Sequence, residues 1–149
     1  MISAQGASAF SQTSHRQTIF LSSGDASVFV RRAEEQLATQ AWGRRIDDLL
    51  RLRSLKDNWD GEGTEAPPTT LVDRAIGLAQ TLLKERDWLP PPHRIIAGVN
   101  GTIFFEWHAS WGYLEIEVLS PLKIEVRLVP KGTNTTQVDM ISVPTASSP

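Results

Sequence analysis

The sequence contains no cysteine, no long apolar run and no strong excess of charge of either sign. The absence of cysteine excludes disulfide bonds, thiolate nucleophiles and cysteine-based zinc or iron–sulfur sites. No apolar stretch approaches the length of a bilayer-crossing helix, and the first residues lack the basic start and apolar block of a signal peptide. We therefore expect a cytoplasmic protein that has no membrane partner.

The charge balance and the missing motifs disfavour several function classes. The chain has 15 Lys and Arg residues against 17 Asp and Glu residues, whereas a nucleic-acid-binding domain usually carries a basic face. It has no Gly-rich phosphate loop, no G-x-S-x-G and no H-E-x-x-H motif, and its 3 histidines share no metal-ligand spacing. The sequence thus predicts no catalytic residue, no cofactor, no metal ligand and no nucleic-acid partner.

Two stretches with helical periodicity precede a long stretch with strand periodicity. Apolar residues recur at steps of three and four over residues 31–55 and 70–88, and three prolines then end the pattern. Beyond residue 93 the period falls to two, with Asn100-Gly101 as a hairpin turn. This pattern predicts an α+β fold, in which two amphipathic helices pack on one face of a 4–5-stranded antiparallel meander sheet. The first helix would turn Ala33, Leu37, Ala41, Ile46 and Leu49 toward the sheet.

The two ends of the chain lack these periodic patterns. Residues 1–30 are rich in Ser, Ala, Gln and Thr, which predicts a flexible or partner-ordered tail before a single domain over residues 31–143. Residues 144–149 are expected to form a disordered end. The tail is interrupted by two short apolar segments, Thr18–Leu21 and Ser27–Val30, which suit a small hairpin or a strand added to a partner's sheet.

The loop LKDNWDGEGTEAPP, residues 55–68, concentrates acidic residues and glycines between the two predicted helices. A calcium loop of the EF-hand kind needs a glutamate at its last position, and both registers of this loop fail there. The Asp60-Gly61 turn and the following prolines instead favour an elbow between helices, with Trp59 packed between them. A looser oxygen-lined site stays open as an alternative.

The polar face of the predicted sheet carries four glutamates. Paired carboxylates serve as general acid and base or hold a metal ion, but they normally need burial and a cleft to do so. Alternation along the strands instead favours a solvated face with cross-strand ion pairs to Lys123 and Arg127. The four residues are Glu106, Glu115, Glu117 and Glu125.

The order of three motifs resembles that of a widespread group of small bacterial proteins. The motifs are NWDGEGTEAP in the loop, NGTIFFEW at the first hairpin and LEIEV in the next strand, and they fall between residues 49 and 129. The group usually has Ala where this chain has Thr64, and Asp-Gly-Gly where it has Asn100-Gly101-Thr102. The resemblance implies one such domain of bacterial or phage origin, but it does not indicate any particular activity or mechanism.

These observations favour a non-enzymatic protein-interaction module of the antitoxin, immunity or accessory-subunit kind. Its partner would be a protein, with the products of neighbouring genes as candidates, bound through the tail, the acidic sheet face or both. The alternative is a metal-assisted hydrolase or nuclease that uses a carboxylate cluster. The candidate interaction residues are Ile19, Phe20, Val28, Phe29, Asp60, Glu62, Glu106, Trp111, Glu115 and Glu117.

Overall fold

The structure, a computed structural model, describes residues 23–84 and 89–142. Two helices come first and five strands follow, paired antiparallel in their sequence order, so the α+β fold class predicted from the sequence is confirmed. Candidate residues Ile19 and Phe20 lie outside the described residues. The elements are α1 (Ser23–Leu52), α2 (Thr69–Lys84), β1 (Arg94–Ala97), β2 (Ile103–Ala109), β3 (Gly112–Ser120), β4 (Lys123–Pro130) and β5 (Gln137–Ser142).

Alternation along the strands turns one face of the sheet toward the helices. Ile103, Phe105 and Trp107 of β2 are fully buried, as the period of two predicts. The only polar atom of the Trp107 side chain, Nε1, donates a hydrogen bond of 2.7 Å to the carbonyl oxygen of Pro90. The core thus accepts a large aromatic side chain without an unpaired donor at this position.

Helix α2 supplies the second layer with a continuous apolar stripe. Leu71, Ala75 and Ala79 recur at steps of four and are buried against the sheet and α1. The helix begins after two prolines, and the carbonyl oxygen of Pro68 accepts hydrogen bonds from the first turn. The carboxylate of Asp73, in the first turns of α2, pairs with Arg53, which directly follows α1.

Helix α1 is longer than predicted and only its second half packs on the domain. It begins at Ser23, so the segment Ser27–Val30 is helical and the hairpin interpretation of that segment was wrong. Trp42 and Leu49 are fully buried. From residue 27 to residue 40, in contrast, every side chain except that of Ala38 is exposed. We call residues 23–40 the arm; it is about 27 Å long at 1.5 Å per residue.

The apolar residues of α1 change sides between the two halves. Ala33 and Leu37, predicted to face the sheet, are exposed, and Leu37 keeps 65% of its surface accessible. At about 100° of rotation per residue, the mean direction of Phe29, Val30 and Leu37 lies about 160° from that of the core-facing residues Trp42, Ile46 and Leu49. One helix therefore carries two separate apolar stripes, and only one of them faces the core.

Two glycines fix the turns that hold the sheet in register. Gly101 has a φ of 68° in the first hairpin, where the amide of Gly98 donates to the carbonyl oxygen of Thr102 at 2.8 Å. Gly112 has a φ of 143°, and a Cβ at that position would overlap the carbonyl oxygen of Val129 in β4. Both positions require glycine for backbone reasons.

Neither of the described helices is long and apolar enough to span a membrane.

Removal of one fully buried aromatic ring tests this assignment of the core. We expect Phe105→Ala to lower the free energy of unfolding by about 3–5 kcal/mol, because it leaves a cavity among well-packed neighbours. Urea unfolding measures the change, and Val99→Ala, at a residue that is 71% exposed, is the matched control with an expected change within about 0.5 kcal/mol. Equal and small changes in both variants would contradict the assignment.

Candidate functional site

The polar side chains of the acidic loop between the helices form hydrogen bonds within the loop, mostly with its own backbone amides. Asp57 accepts a hydrogen bond of 2.9 Å from the amide of Ala66, and Asn58 accepts one of 2.8 Å from the amide of Gly63. Asp60 accepts from the hydroxyl of Thr64 and from the amide of Glu62. These contacts, led by the Thr64 hydroxyl, hold the pKa of Asp60 below its ordinary value. The loop geometry is that of an elbow.

One detail of the elbow interpretation was wrong. Trp59 does not pack between the helices, because 43% of its surface is exposed. The side chains of Asp60 and Glu62 are also exposed, and within residues 23–84 and 89–142 the Glu62 side chain forms no hydrogen bond or ion pair. The two candidate residues therefore lie on the surface, but Asp60 is already engaged by its own loop.

The face of the sheet away from the helices, here called the open face, carries a row of charges that crosses four strands. The register places Arg94 opposite Glu106, Glu106 opposite Glu115, and Glu115 opposite Arg127. Arg94 pairs with Glu106, and Arg127 donates to Glu115 at 2.7 Å. Each carboxylate of the central pair thus has a guanidinium on its outer side, which offsets the repulsion of two like charges placed directly opposite.

The central carboxylates are far less accessible than a solvated face implies. Glu106 keeps 6% of its surface exposed and Glu115 keeps 8%, although both described helices pack on the other face. The expectation that these two candidate interaction residues are exposed was therefore wrong. Arg94, Arg127 and Tyr113 contact their carboxylates directly, and a buried carboxylate with such partners is costly to unpair.

The next row of the open face is less balanced. Glu117 lies opposite Glu125, and Arg127, already paired with Glu115, also donates to Glu125 at 2.7 Å. Within the described part of the chain, the half-buried Glu117 forms no hydrogen bond or ion pair. Four carboxylates therefore share two paired guanidiniums on this face, so it remains acidic at its Glu117 end.

An aromatic group adjoins the charge row on the same face. The hydroxyl of Tyr113 donates to Glu115, and the rings of His108 and Tyr113 lie 4.9 Å apart. His93 accepts a hydrogen bond at Nδ1 from the backbone amide of His108, and the two imidazole rings meet edge to face at 5.9 Å. Burial, followed by the bond to Glu115, raises the pKa of Tyr113 well above its ordinary value. The phenol is thus a fixed donor rather than an acid.

These side chains do not assemble a metal centre. Over residues 23–84 and 89–142, no group of three or more His, Asp or Glu side chains is arranged to hold a metal ion. The carboxylates are spread along rows of the sheet, and all but Glu117 are engaged by Arg or Tyr. A divalent ion instead needs several oxygen or nitrogen ligands converging on one point.

Over residues 23–84 and 89–142, exposed large apolar side chains are most concentrated at two places. The first is the arm, where Phe29 is 57% and Val30 is 58% exposed, and where the candidate residue Val28 is 38% exposed. The second is β5, whose six residues are all exposed. The candidate residue Trp111, 42% exposed, lies apart from both in the β2–β3 connection. Of the apolar candidate interaction residues, the structure thus leaves Val28, Phe29 and Trp111 open to a partner.

Two residues of the open face were not predicted from the sequence, although the alternation along their strands indicates them. Arg94 and Tyr113 were not singled out, yet extending the period-two alternation to the first residues of β1 and β3 places both on the open face. The arm had a weaker signal: its apolar residues recur at helical spacing, but spacing does not tell which side of the helix meets the core.

Comparisons of the chain with protein-family models, with curated proteins and with solved structures give no match. Function is therefore inferred from the surfaces of the chain itself.

The single tyrosine of the chain makes the charge row directly measurable. We expect Tyr113 to ionise well above its ordinary pKa of 10.0, and Glu115→Gln to lower this pKa part of the way back, because burial remains while the negative neighbour is lost. Ultraviolet difference absorbance against pH follows the phenolate without interference from other tyrosines. Ionisation of Tyr113 in its ordinary range, or no change in Glu115→Gln, would contradict the described contact.

Proposed function

We propose that the protein is a non-enzymatic protein-interaction module of the antitoxin, immunity or accessory-subunit kind. It acts in the bacterial cytoplasm and binds a protein partner rather than nucleic acid. The observation that carries the proposal is the arm of α1, with an apolar stripe turned away from the domain.

The arm has no packing that accounts for its apolar residues. Phe29, Val30 and Leu37 are each more than half exposed, and they lie on the side of α1 opposite to Trp42 and Leu49. Most helical stability in proteins comes from burying an amphipathic face rather than from intrinsic propensity, and the arm leaves its apolar stripe uncovered. A partner that covers the stripe supplies that burial, and contiguous exposed apolar surface is typical of interaction sites.

The charges of the arm indicate the chemistry of the partner. Arg31, Arg32, Glu34 and Glu35 are all exposed and balance one another, so that with Asp25 the arm carries a net charge of only −1. A strongly basic or acidic partner would therefore gain little from the arm. The stripe fits an apolar helix or groove whose rim carries charges of both signs, so we expect binding that depends weakly on salt.

The open face is a weaker candidate for the primary contact. Glu106 and Glu115 are nearly inaccessible and already ion-paired, so they offer little to a basic partner. Glu117 on the open face and Trp111 in the β2–β3 connection are the candidate residues of the sheet that remain available, and they serve to test it separately.

Copurification of the tagged full chain with the products of neighbouring genes tests the proposal. We expect a stoichiometric protein partner for the wild type and its loss in the double variant Phe29→Glu, Leu37→Glu, because a charge then stands at each end of the stripe. Val99→Glu, which also charges an exposed apolar residue but lies in the first hairpin, is the matched control and should keep the partner.

Thermal melting separates loss of binding from loss of fold. The melting temperature of the double variant should stay close to that of the wild type, since both substituted side chains are exposed. A partner that stays bound to the double variant but is lost from Glu117→Gln or Trp111→Ala would overturn the role of the arm. Absence of any partner would overturn the proposed function.

A further inference from the structure

Strand β5 is an edge strand without the usual protection. It is the last strand in the sheet order, and among the described residues no strand lies beyond it. Alternate residues of an edge strand direct their backbone N–H and C=O groups outward, where they can pair with another strand. Natural edges are commonly blocked by proline, lysine or a bulge, but β5 contains neither residue type and its only charge is Asp139.

The strand exposes apolar side chains on both faces. Val138 and Met140 lie on the open face, opposite Arg127 and Glu125 of β4, and are 54% and 47% exposed. Ile141 lies on the helix face, opposite Ile124, and is 50% exposed. An added strand would cover part of each of these side chains.

The helices leave room for an added strand. Helix α1 lies closest to β1, and α2 lies closest to β2 and β3, so β4 and β5 form the end of the sheet farthest from both. A second domain joined at β5 would therefore keep its helices well away from those of the first.

We propose that β5 pairs antiparallel with β5 of a second copy of this chain, which joins the two sheets into one of ten strands. The pairing is independent of the proposed partner of the arm. A two-fold axis perpendicular to the sheet keeps both sets of helices on the same face, and it brings together residues that share a face. This condition leaves few registers for a strand of six residues.

Two registers pair five residues of each strand, and Asp139 decides between them. One register is centred on Asp139 and places the two Asp139 carboxylates directly opposite each other, which is destabilising. The other register is centred on Met140, so Met140 faces its own copy, Val138 faces Ser142, and Asp139 faces Ile141. We assign the register centred on Met140.

That register joins the exposed apolar side chains into one cluster. Met140 contacts its copy across the two-fold axis, and Val138 of each chain lies diagonally next to Met140 of the other, within reach of a long side chain. One strand pair buries less than the roughly 1,200 Å² of a stable specific interface, so the dimer is expected to be weak and reversible. A strand of a different protein would lack the two-fold symmetry, and this difference makes the proposal testable.

Cysteine cross-linking of the full chain reads the register directly, because the natural sequence contains no cysteine. We expect Met140→Cys to cross-link to itself with a short bifunctional thiol reagent. Ser142→Cys, on the same strand and the same face, should not do so alone. A mixture of Val138→Cys and Ser142→Cys should give the mixed dimer, since these positions face each other. Cross-linking of Ser142→Cys to itself, or none at Met140, would overturn the register.

Sedimentation equilibrium tests the association itself. The wild type should show a concentration-dependent dimer. Met140→Lys should raise its dissociation constant by about tenfold, because it replaces the central apolar contact with two like charges directly opposite each other. The melting temperature of this variant, measured at a concentration where the chain is monomeric, should be unchanged. A wild type that stays monomeric at high concentration, or a dimer that Met140→Lys leaves intact, would overturn the proposal.

Discussion

The register between β2 and β3 is the constraint on which the rest of the structure depends. These strands place Phe105, Trp107, Ile116 and Val118 against the helices, and the same alternation forces Glu106 and Glu115 together on the other face. A slip of one residue would exchange the two faces of a strand. Arg94 and Arg127 make the correct register tolerable, because they supply positive charge on both sides of the carboxylate pair. The placement of the two glutamates on the open face is thus a consequence of the register that the core requires.

The helix layer does not match the sheet in extent. The helices leave part of the sheet uncovered, and one of them extends beyond the domain. The second half of α1 and the whole of α2 cover the sheet near β1, β2 and β3, while the arm continues past the domain with its apolar stripe turned the other way. At the far end of the sheet, β5 is exposed on both faces. The centre of the domain is therefore well packed, whereas the arm and β5 expose apolar side chains. Both proposals of association concern these two elements and not the charged open face.

The sequence alone could predict what depends on local periodicity. Strands β1 to β4, the Asn100-Gly101 turn and the buried side of β2 follow from alternation and turn chemistry, and β5 is the optional strand of the predicted 4–5-stranded sheet. The exposure of the apolar stripe of the arm could not be predicted, because helical spacing does not show which part of a helix packs against the domain. The burial of Glu106 and Glu115 also required three dimensions, since it depends on Arg94, Tyr113 and Arg127 lying beside them on other strands or other positions.

Native-state amide hydrogen exchange along α1 tests the central claim that one helix is half core and half free surface. The account predicts slow exchange, near the free energy of global unfolding, for residues 41–52, and much faster exchange for residues 27–40, whose exposed side chains give them little tertiary support. Uniform slow exchange over the whole helix would contradict the account, because it would mean that the arm is already covered in the free protein and is not an open surface for a partner.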